Sequence, residues 1–188
     1  VHIGEIQNKG LALNVDIFDD KGKPIKNTKG ELVCKNPFPT TPLKFWNDKN
    51  DNKFKDAYFN RFSNIWHHGD FAEITKTGGF IIHGRSDTTL NPGGVRLGTA
   101  EIYSEVEKFR EIKESIVVGQ SWDNDIRIVL FIVMNAKFLL TEGLMKKIKI
   151  QIRKNASPRH VPSKVIVVGD IPRTKSGKIV ELAVKNTI

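Results

Sequence analysis

The sequence predicts an α+β fold in two parts, a β-rich part over residues 1–86 and a small α+β domain over residues 87–188. Short apolar runs separated by turn residues dominate the first part, as is typical of strands. In the second part, apolar residues spaced by three or four alternate with short β-branched runs, a pattern that favours helices packed on a sheet. Residues 84–98 lie between the two patterns and hold four glycines and one proline, which indicates a joint.

The elements of the first part follow from alternation and turn chemistry. Alternating apolar residues over 13–17 and again over 30–35 predict two strands. Residues 36–55 hold three prolines among aromatic side chains, which predicts an irregular loop held by apolar contacts. Residues 71–74 and 80–83 flank a turn with two glycines, and this predicts a β-hairpin. We therefore expect an all-β first part.

The second part is expected to order its elements as helix, strand, strand, helix, strand, helix. Each longer helix shows apolar residues on one face behind a threonine that can cap its first turn. The predicted elements are a helix capped by Thr99 with Ile102, Val106 and Phe109 on one face, strands over 115–118 and 126–134, a helix capped by Thr141 with Leu144, Ile148 and Ile152 on one face, a strand over 164–168 and a helix over 179–185.

Composition excludes several classes of protein. The chain has 188 residues, of which 39% are hydrophobic and one is a cysteine, Cys34. A core of ordinary size is expected, and a lone cysteine cannot form an internal disulfide, which favours a reducing compartment. The longest apolar run, residues 128–134, is too short to span a bilayer. With no signal peptide visible and no initial Met, we expect a cytoplasmic piece of a longer polypeptide.

The positive charge is concentrated in the second part. The net charge is +9. Residues 1–87 carry 13 basic and 11 acidic side chains, and residues 88–188 carry 17 basic and 10 acidic ones. This excess suggests an anionic partner such as nucleic acid, a membrane surface or a polyphosphate, or else a lysine-rich solvated surface. Few aromatic residues are interleaved with the basic ones, which disfavours nucleic-acid binding.

Lys178 is the first candidate for chemistry. It ends the segment PRTKSGK over residues 172–178, where a glycine before a lysine on a loop lets an ammonium group reach a phosphate. A phosphate-binding P-loop would need Gly in place of Pro172 and Ser or Thr in place of Ile179, so that motif is absent. From chemistry alone, Lys178 is equally consistent with a solvated turn lysine.

The glycine-rich joint supplies the second set of candidates. Arg85 and Arg96 could pair with phosphate oxygens, which a guanidinium group contacts with two donors. Gly93 and Gly94 would let the backbone approach a ligand closely. A flexible turn with exposed arginines explains the same residues.

The third candidate segment is His67-His68-Gly69-Asp70, just before a predicted strand. Adjacent histidines lack the spacing of a zinc pair, so metal binding is not expected. Asp70 could accept hydrogen bonds from sugar hydroxyls or fix a turn.

Taken in order, these segments resemble the C-terminal part of the adenylate-forming enzymes, the superfamily of acyl-CoA synthetases, peptide-synthetase adenylation domains and firefly luciferase. Within this superfamily, the motif sequences are most similar to those of the acid–CoA ligases that act on acetoacetate. The resemblance covers essentially the whole chain. The segments are GELVC (30–34), PFP (37–39), WHHGDF (66–71), GRSD (84–87), LNPGGVRLGTAEIY (90–103), SPRHVP (157–162) and PRTKSGK (172–178).

The resemblance implies a fold and a set of site residues. Residues 1–86 would be the end of a large N-terminal domain, a barrel-like β subdomain, and residues 87–188 a C-terminal lid that rotates about a hinge at Asp87. The implied roles are ribose binding by Asp70, ribose and phosphate contacts by Arg85, phosphate contacts by Arg96, catalysis of adenylation by Lys178, a pantetheine tunnel lined at Gly94 and a CoA phosphate contact by Arg153.

The resemblance also implies substrates and partners. The substrates are acetoacetate, ATP with Mg²⁺, and CoA, and the protein partner is the remainder of the N-terminal domain. Neither a membrane nor a nucleic acid is expected as a partner. The family's phosphate loop, adenine pocket, acyl pocket and Mg²⁺ ligands lie upstream of these motifs. We therefore expect the 188-residue chain alone to be inactive, with exposed apolar surface and partial disorder in its first part.

Several alternatives stay open. The acid could be acetate, propionate or butyrate, because specificity residues would lie upstream. The chain could instead be a stand-alone regulatory lid or a basic nucleic-acid-binding module. Acetylation of Lys178 would remove its charge and is expected to abolish adenylation.

Overall fold

A computed structural model describes all residues from Val1 to Ile188. The chain divides into two compact units, Val1–Ser86 and Asp87–Ile188. The predicted α+β class is confirmed: a four-stranded sheet lies in the first unit, and a three-stranded sheet with three helices lies in the second. The assignment of these units to an N-terminal domain and a lid stays a prediction.

The first unit is built on an open antiparallel sheet of four strands in sequential order. The strands are β1 (Val15–Phe18), β2 (Gly30–Cys34), β3 (Trp66–Ile74) and β4 (Phe80–Arg85). The predicted hairpin joins β3 to β4, and Gly78 provides the left-handed conformation of its turn with a φ of 86°. β3 starts earlier than predicted, so the segment over residues 67–70 lies within the strand and not before it.

A short helix, α1 (Asn52–Tyr58), corrects the prediction that the first part is all-β. The Asp48 carboxylate accepts hydrogen bonds from the backbone N–H groups of Lys53 and Phe54 at 3.2 and 2.9 Å, which fixes the first turn. The Tyr58 ring stacks on Trp66 of β3 at 3.8 Å between centroids. Local sequence gives this helix little support, and its aromatic packing stabilises it.

The first unit has exposed apolar side chains, as expected from its sequence. Leu11, Leu43 and Trp46 are almost fully exposed. The partial disorder expected for the same unit stays a prediction.

The second unit has the predicted order of helices and strands. Its elements are α2 (Ala100–Val106), β5 (Ile112–Trp122), β6 (Asp125–Met134), α3 (Glu142–Asn155), β7 (Lys164–Val167) and α4 (Glu181–Lys185). β5 pairs antiparallel with β6, and β6 pairs parallel with β7. Short 3₁₀ turns lie at Ser86–Thr88, which begins in the first unit, and at Pro92–Gly94 and Pro158–His160.

Of the two predicted helix caps, one is confirmed and one is wrong. Thr141 Oγ1 accepts a hydrogen bond from the backbone N–H of Leu144 at 3.1 Å. Thr99 is itself in a helical conformation and makes no capping bond with its side chain, so it does not have the geometry of a cap. α2 ends at Val106, and Phe109 therefore lies beyond the helix with which it was grouped.

The core of the second unit lies between its sheet and the helices α2 and α3. Successive strand residues point to opposite faces, so Val117 packs into this core while Ile116 contacts a smaller cluster with Val133 and Ile171. The fully buried residues of the core between the sheet and the helices are Leu90, Ile102, Val106, Val117, Leu130, Ile132, Ile148 and Ile152. No helix in the molecule is both long and apolar enough to cross a bilayer.

Candidate functional site

Asp70 and Arg85 are brought together by the register of the β3–β4 hairpin. The two residues are directly paired across the strands, and Arg85 Nη1 lies 3.6 Å from Asp70 Oδ1. Their side chains are 30% and 55% exposed, so the pair can exchange contacts with a ligand. Gly69 has a φ of 76°, and a Cβ there would lie 3.1 Å from Arg85 Nη2. A glycine at 69 therefore leaves room for the guanidinium.

The imidazole of His68 lies beside this pair. Arg85 Nη1 donates a weak hydrogen bond to the His68 carbonyl oxygen at 3.4 Å. Burial lowers the pKa of His68 below its ordinary value, and the charges of His67 and Arg85 act in the same direction, whereas Asp70 opposes them. His68 is therefore neutral at neutral pH and adds no positive charge to the site.

A buried charge network supports this end of the sheet, and sequence reasoning missed it. Glu31 of β2 has no exposed surface, and its carboxylate lies 2.9 Å from Arg61 Nη1 and 2.8 Å from His67 Nε2. The Ser86 hydroxyl donates a hydrogen bond to the same carboxylate. The network therefore fixes the residue that directly precedes Asp87.

The glycine-rich segment forms a turn at the start of the second unit. Gly93 and Gly94 have φ values of 58° and 75°, and the Gly93 N–H donates to both carboxylate oxygens of Asp125 at 2.9 and 3.1 Å. A Cβ at Gly94 would meet no atom within 4 Å, so the space over this backbone is open. Arg96 Nε donates to Thr89 Oγ1 at 3.1 Å, which links residues on either side of this turn.

The Lys178 segment is a tight, hydrogen-bonded turn. Thr174 N–H donates to the Lys178 carbonyl at 2.9 Å, and Gly177 N–H donates to the Thr174 carbonyl at 2.9 Å. The backbone N–H of Lys178 also donates to Thr174 Oγ1 at 3.1 Å. Gly177 reaches a φ of 83°. The turn therefore presents the exposed Lys178 from an ordered backbone.

The remaining predicted residues lie on other elements of the second unit. Arg153 is exposed in the last turn of α3, where a cation complements the helix dipole. Asp87 accepts a hydrogen bond at its backbone carbonyl from Lys185 Nζ of α4 at 2.9 Å. Arg96, Arg153 and Lys178 thus stand on three separate segments. No three His, Cys, Asp or Glu side chains are grouped so that they could hold a metal ion.

α4, which follows Lys178, is docked by a tyrosine that sequence reasoning also missed. Tyr103 donates a hydrogen bond to Glu181 and accepts one from the Val117 N–H at 3.0 Å. Burial raises the pKa of Tyr103, and the neighbouring charge of Glu181 raises it further, so the phenol stays protonated. The only signal for Tyr103 in the sequence was its position at the end of the motif segment over residues 90–103.

Comparisons with known proteins find several relatives of this chain. The family described as AMP-binding enzyme C-terminal domain matches residues 101–178. The chain is 58% identical over 185 residues to acetoacetyl-coenzyme A synthetase of Rhizobium meliloti (strain 1021), covering 98% of this chain and 28% of that protein. It is 46% identical over 190 residues to acetoacetyl-CoA synthetase of Gallus gallus, covering 100% of this chain and 28% of that protein.

A solved structure gives the same result in three dimensions. Acetoacetyl-CoA synthetase from Streptomyces lividans superposes with a TM-score of 0.93 at 43% identity, covering 99% of this chain and 28% of that one. The chain therefore spans little more than a quarter of the length of the relatives that it matches.

Proposed function

We propose, from the premise that this chain belongs to the AMP-binding, adenylate-forming enzymes, that it serves as the C-terminal part of an ATP-dependent acetoacetate–CoA ligase. The observation that carries the proposal is 58% identity to an acetoacetyl-coenzyme A synthetase over 98% of the chain. The exposed, hydrogen-bonded turn at Lys178 also supports it, because it can present a cationic group to a ligand.

The proposed reaction has two steps. The acetoacetate carboxylate attacks the α-phosphate of ATP and expels pyrophosphate, which gives acetoacetyl-adenylate. The CoA thiol, as it loses its proton, then attacks the acyl carbon and expels AMP, which gives acetoacetyl-CoA.

Lys178 has the proposed catalytic role in the first step. Negative charge builds on the oxygens around the α-phosphate as the carboxylate attacks, and a fixed ammonium group lowers the energy of that transition state. The hydrogen-bonded turn supports this role, because it fixes the backbone from which the Lys178 side chain extends and so reduces the reorganisation needed during the reaction.

Asp70, Arg85 and Arg96 are proposed to bind the nucleotide. A carboxylate accepts hydrogen bonds from both hydroxyls of a ribose, and Asp70 is exposed enough to do so. Its ion pair with Arg85 places a guanidinium beside it, where phosphate oxygens can be contacted. Arg96 would add positive charge to the phosphates from the turn of the second unit.

Asp87, Gly94 and Arg153 are proposed to serve the second step. Asp87 would be the hinge for lid rotation, since the boundary between the two compact units falls directly before it. The open space over Gly94 suits passage of a pantetheine arm, and Arg153 would contact a CoA phosphate. Mg²⁺ would accompany ATP, and its protein ligands are expected upstream of this chain.

The test uses the full-length polypeptide that carries this sequence, with Lys178→Ala compared to Lys175→Ala as a matched control from the same exposed turn. Acyl-adenylate formation is followed by pyrophosphate exchange with acetoacetate, acetate or butyrate. Thioester formation is followed separately from supplied acetoacetyl-adenylate and CoA. We expect Lys178→Ala to slow adenylation by about 100-fold or more, since loss of one such charge removes a few kcal/mol of transition-state stabilisation. Thioester formation should remain.

Three other outcomes would contradict parts of the proposal. Equal use of all three acids would remove acetoacetate as the specific substrate. Unchanged adenylation in Lys178→Ala would remove the catalytic role. Absence of ATP-dependent CoA consumption would remove the ligase assignment, and oligonucleotide binding would then be measured.

A further inference from the structure

Arg173 makes two contacts at the base of the Lys178 turn. Its Nη1 donates a hydrogen bond to the Gly177 carbonyl oxygen at 2.7 Å. Its Nη2 lies 2.8 Å from Glu114 Oε2 on β5. The Arg173 and Glu114 side chains are 37% and 26% exposed, so the ion pair is partly shielded from solvent.

The Gly177 carbonyl belongs to the peptide group that joins Gly177 to Lys178. The turn's internal hydrogen bonds fix its own shape, and its two ends are anchored by the buried Ile171 and by the hydrogen bond between Tyr103 and Glu181. Arg173 connects the last peptide before Lys178 to β5, a strand paired along most of its length with β6. Arg173 therefore adds a direct link between the sheet and the peptide group that carries Lys178, beside the anchors at the two ends of the turn.

We propose that Arg173, held by Glu114, is the positioning residue for Lys178. The inference rests on the catalytic role proposed for Lys178 and deepens it. The guanidinium suits this task because its planar fork supplies two donors in fixed relation, whereas a lysine ammonium would give a single point charge on a flexible stem. Glu114 also draws the Arg173 charge toward the sheet.

The test measures both half-reactions in the full-length polypeptide for Arg173→Gln, Arg173→Lys, Glu114→Gln and the double variant Arg173→Gln/Glu114→Gln. Lys113→Gln, an exposed neighbour of Glu114 on β5, is the matched control. Thermal unfolding of each variant is recorded beside the rates. Arg173→Lys keeps the charge and serves as the folded comparison where Arg173→Gln loses stability.

We expect Arg173→Gln to lower kcat of adenylation by about 10- to 100-fold, the loss typical of a misplaced catalytic group. The KM for ATP and thioester formation from supplied acyl-adenylate should stay at the wild-type level. Arg173→Lys should recover part of the loss. The double variant should be no slower than Arg173→Gln alone, because the two residues act as one unit.

The possible failures are distinguishable. Wild-type adenylation in the Arg173 variants, together with loss of adenylation in Lys178→Ala, would overturn the positioning role and leave the proposed function intact. Equal slowing of both half-reactions by Arg173→Lys would assign Arg173 a general structural role and overturn the inference. Wild-type adenylation in Lys178→Ala would remove the proposed function and the inference together.

Discussion

Glu31 is a carboxylate with no exposed surface, and one ion pair and two hydrogen bonds support its burial. Arg61 and His67 lie within 2.9 Å of its oxygens, and Ser86 donates to it as well. Arg61 also reaches Asp20 at 2.6 Å, so one guanidinium connects two carboxylates. A buried charge is tolerated when it is paired with an opposite charge or hydrogen-bonded. The residue therefore helps to fix the end of the first unit through an ion pair and hydrogen bonds.

We predict that Glu31→Gln lowers the free energy of unfolding of the first unit by about 3 kcal/mol, since removing one partner of a buried ion pair costs about 3–5 kcal/mol. The lower end applies because the Arg61 side chain is 34% exposed and can regain water. Urea unfolding followed by tryptophan fluorescence gives the value. Asp16→Asn is the control, because Asp16 forms an ion pair with the 33% exposed Lys35 and should cost less than about 1 kcal/mol. Similar small losses in both variants would contradict the prediction.

At the scale of elements, Glu105 joins α2 to α3. Its carboxylate accepts hydrogen bonds from Gln151 and Asn155 of α3 at 3.0 and 2.8 Å, and it pairs with Lys108 at 2.7 Å. Burial acts to raise the pKa of Glu105, but the hydrogen bonds from Lys108, Asn155 and Gln151 outweigh it, so that the pKa lies below its ordinary value. The ionised carboxylate is therefore the form that holds the two helices.

A dependence on pH follows from the sign of this shift. A carboxyl whose folded pKa is lowered stabilises the fold fully above its ordinary pKa, near 4.5, and the stabilisation is lost as the pH falls through the folded value. We predict that Glu105→Gln is less stable than wild type at pH 7 and that the difference shrinks between about pH 5 and pH 3. Urea unfolding across this range measures it. Glu107→Gln, an exposed neighbour, should follow the wild-type curve. A difference independent of pH would contradict the prediction.

The elements that were predicted correctly have a local sequence pattern such as hydrophobic periodicity. The features that were missed depend on contacts between residues distant in sequence. Leu144, Ile148 and Ile152 mark one face of α3 in the sequence, and all three are buried. α1 was missed because its support is a set of aromatic contacts to β3, which local patterns do not encode. Glu31 was missed because a charged residue within an alternating strand pattern suggests a position on the solvent face.

The candidate site divides in the same way. Motif order was sufficient to select Asp70, Arg85 and Lys178, and the hairpin register then explains why the first two meet. Arg173 lies inside the motif, but its partner Glu114 is distant in sequence and belongs to another element. Such a partner is found only when the strands are placed.

At the scale of the whole molecule, each unit has hydrophobic clusters of its own. Ile17, Ala72 and Phe80 form one in the first unit, and a larger cluster including Leu130 and Ile148 lies in the second. We predict that residues 87–188 expressed alone fold cooperatively, because this larger core is complete within them. A dispersed amide NMR spectrum and a single urea transition would support this. A spectrum of collapsed, broad signals with binding of an apolar dye would contradict it.

The bond from Lys185 to the Asp87 carbonyl has a consequence for genetics. Its acceptor belongs to the main chain, and every amino acid, proline included, offers the same carbonyl oxygen. Side-chain replacements at 87 therefore leave the acceptor group in place, whereas replacement of Lys185 removes the donor. Mutagenesis of position 87 alone therefore does not detect this contact. The variation that reveals it lies 98 residues further along the chain.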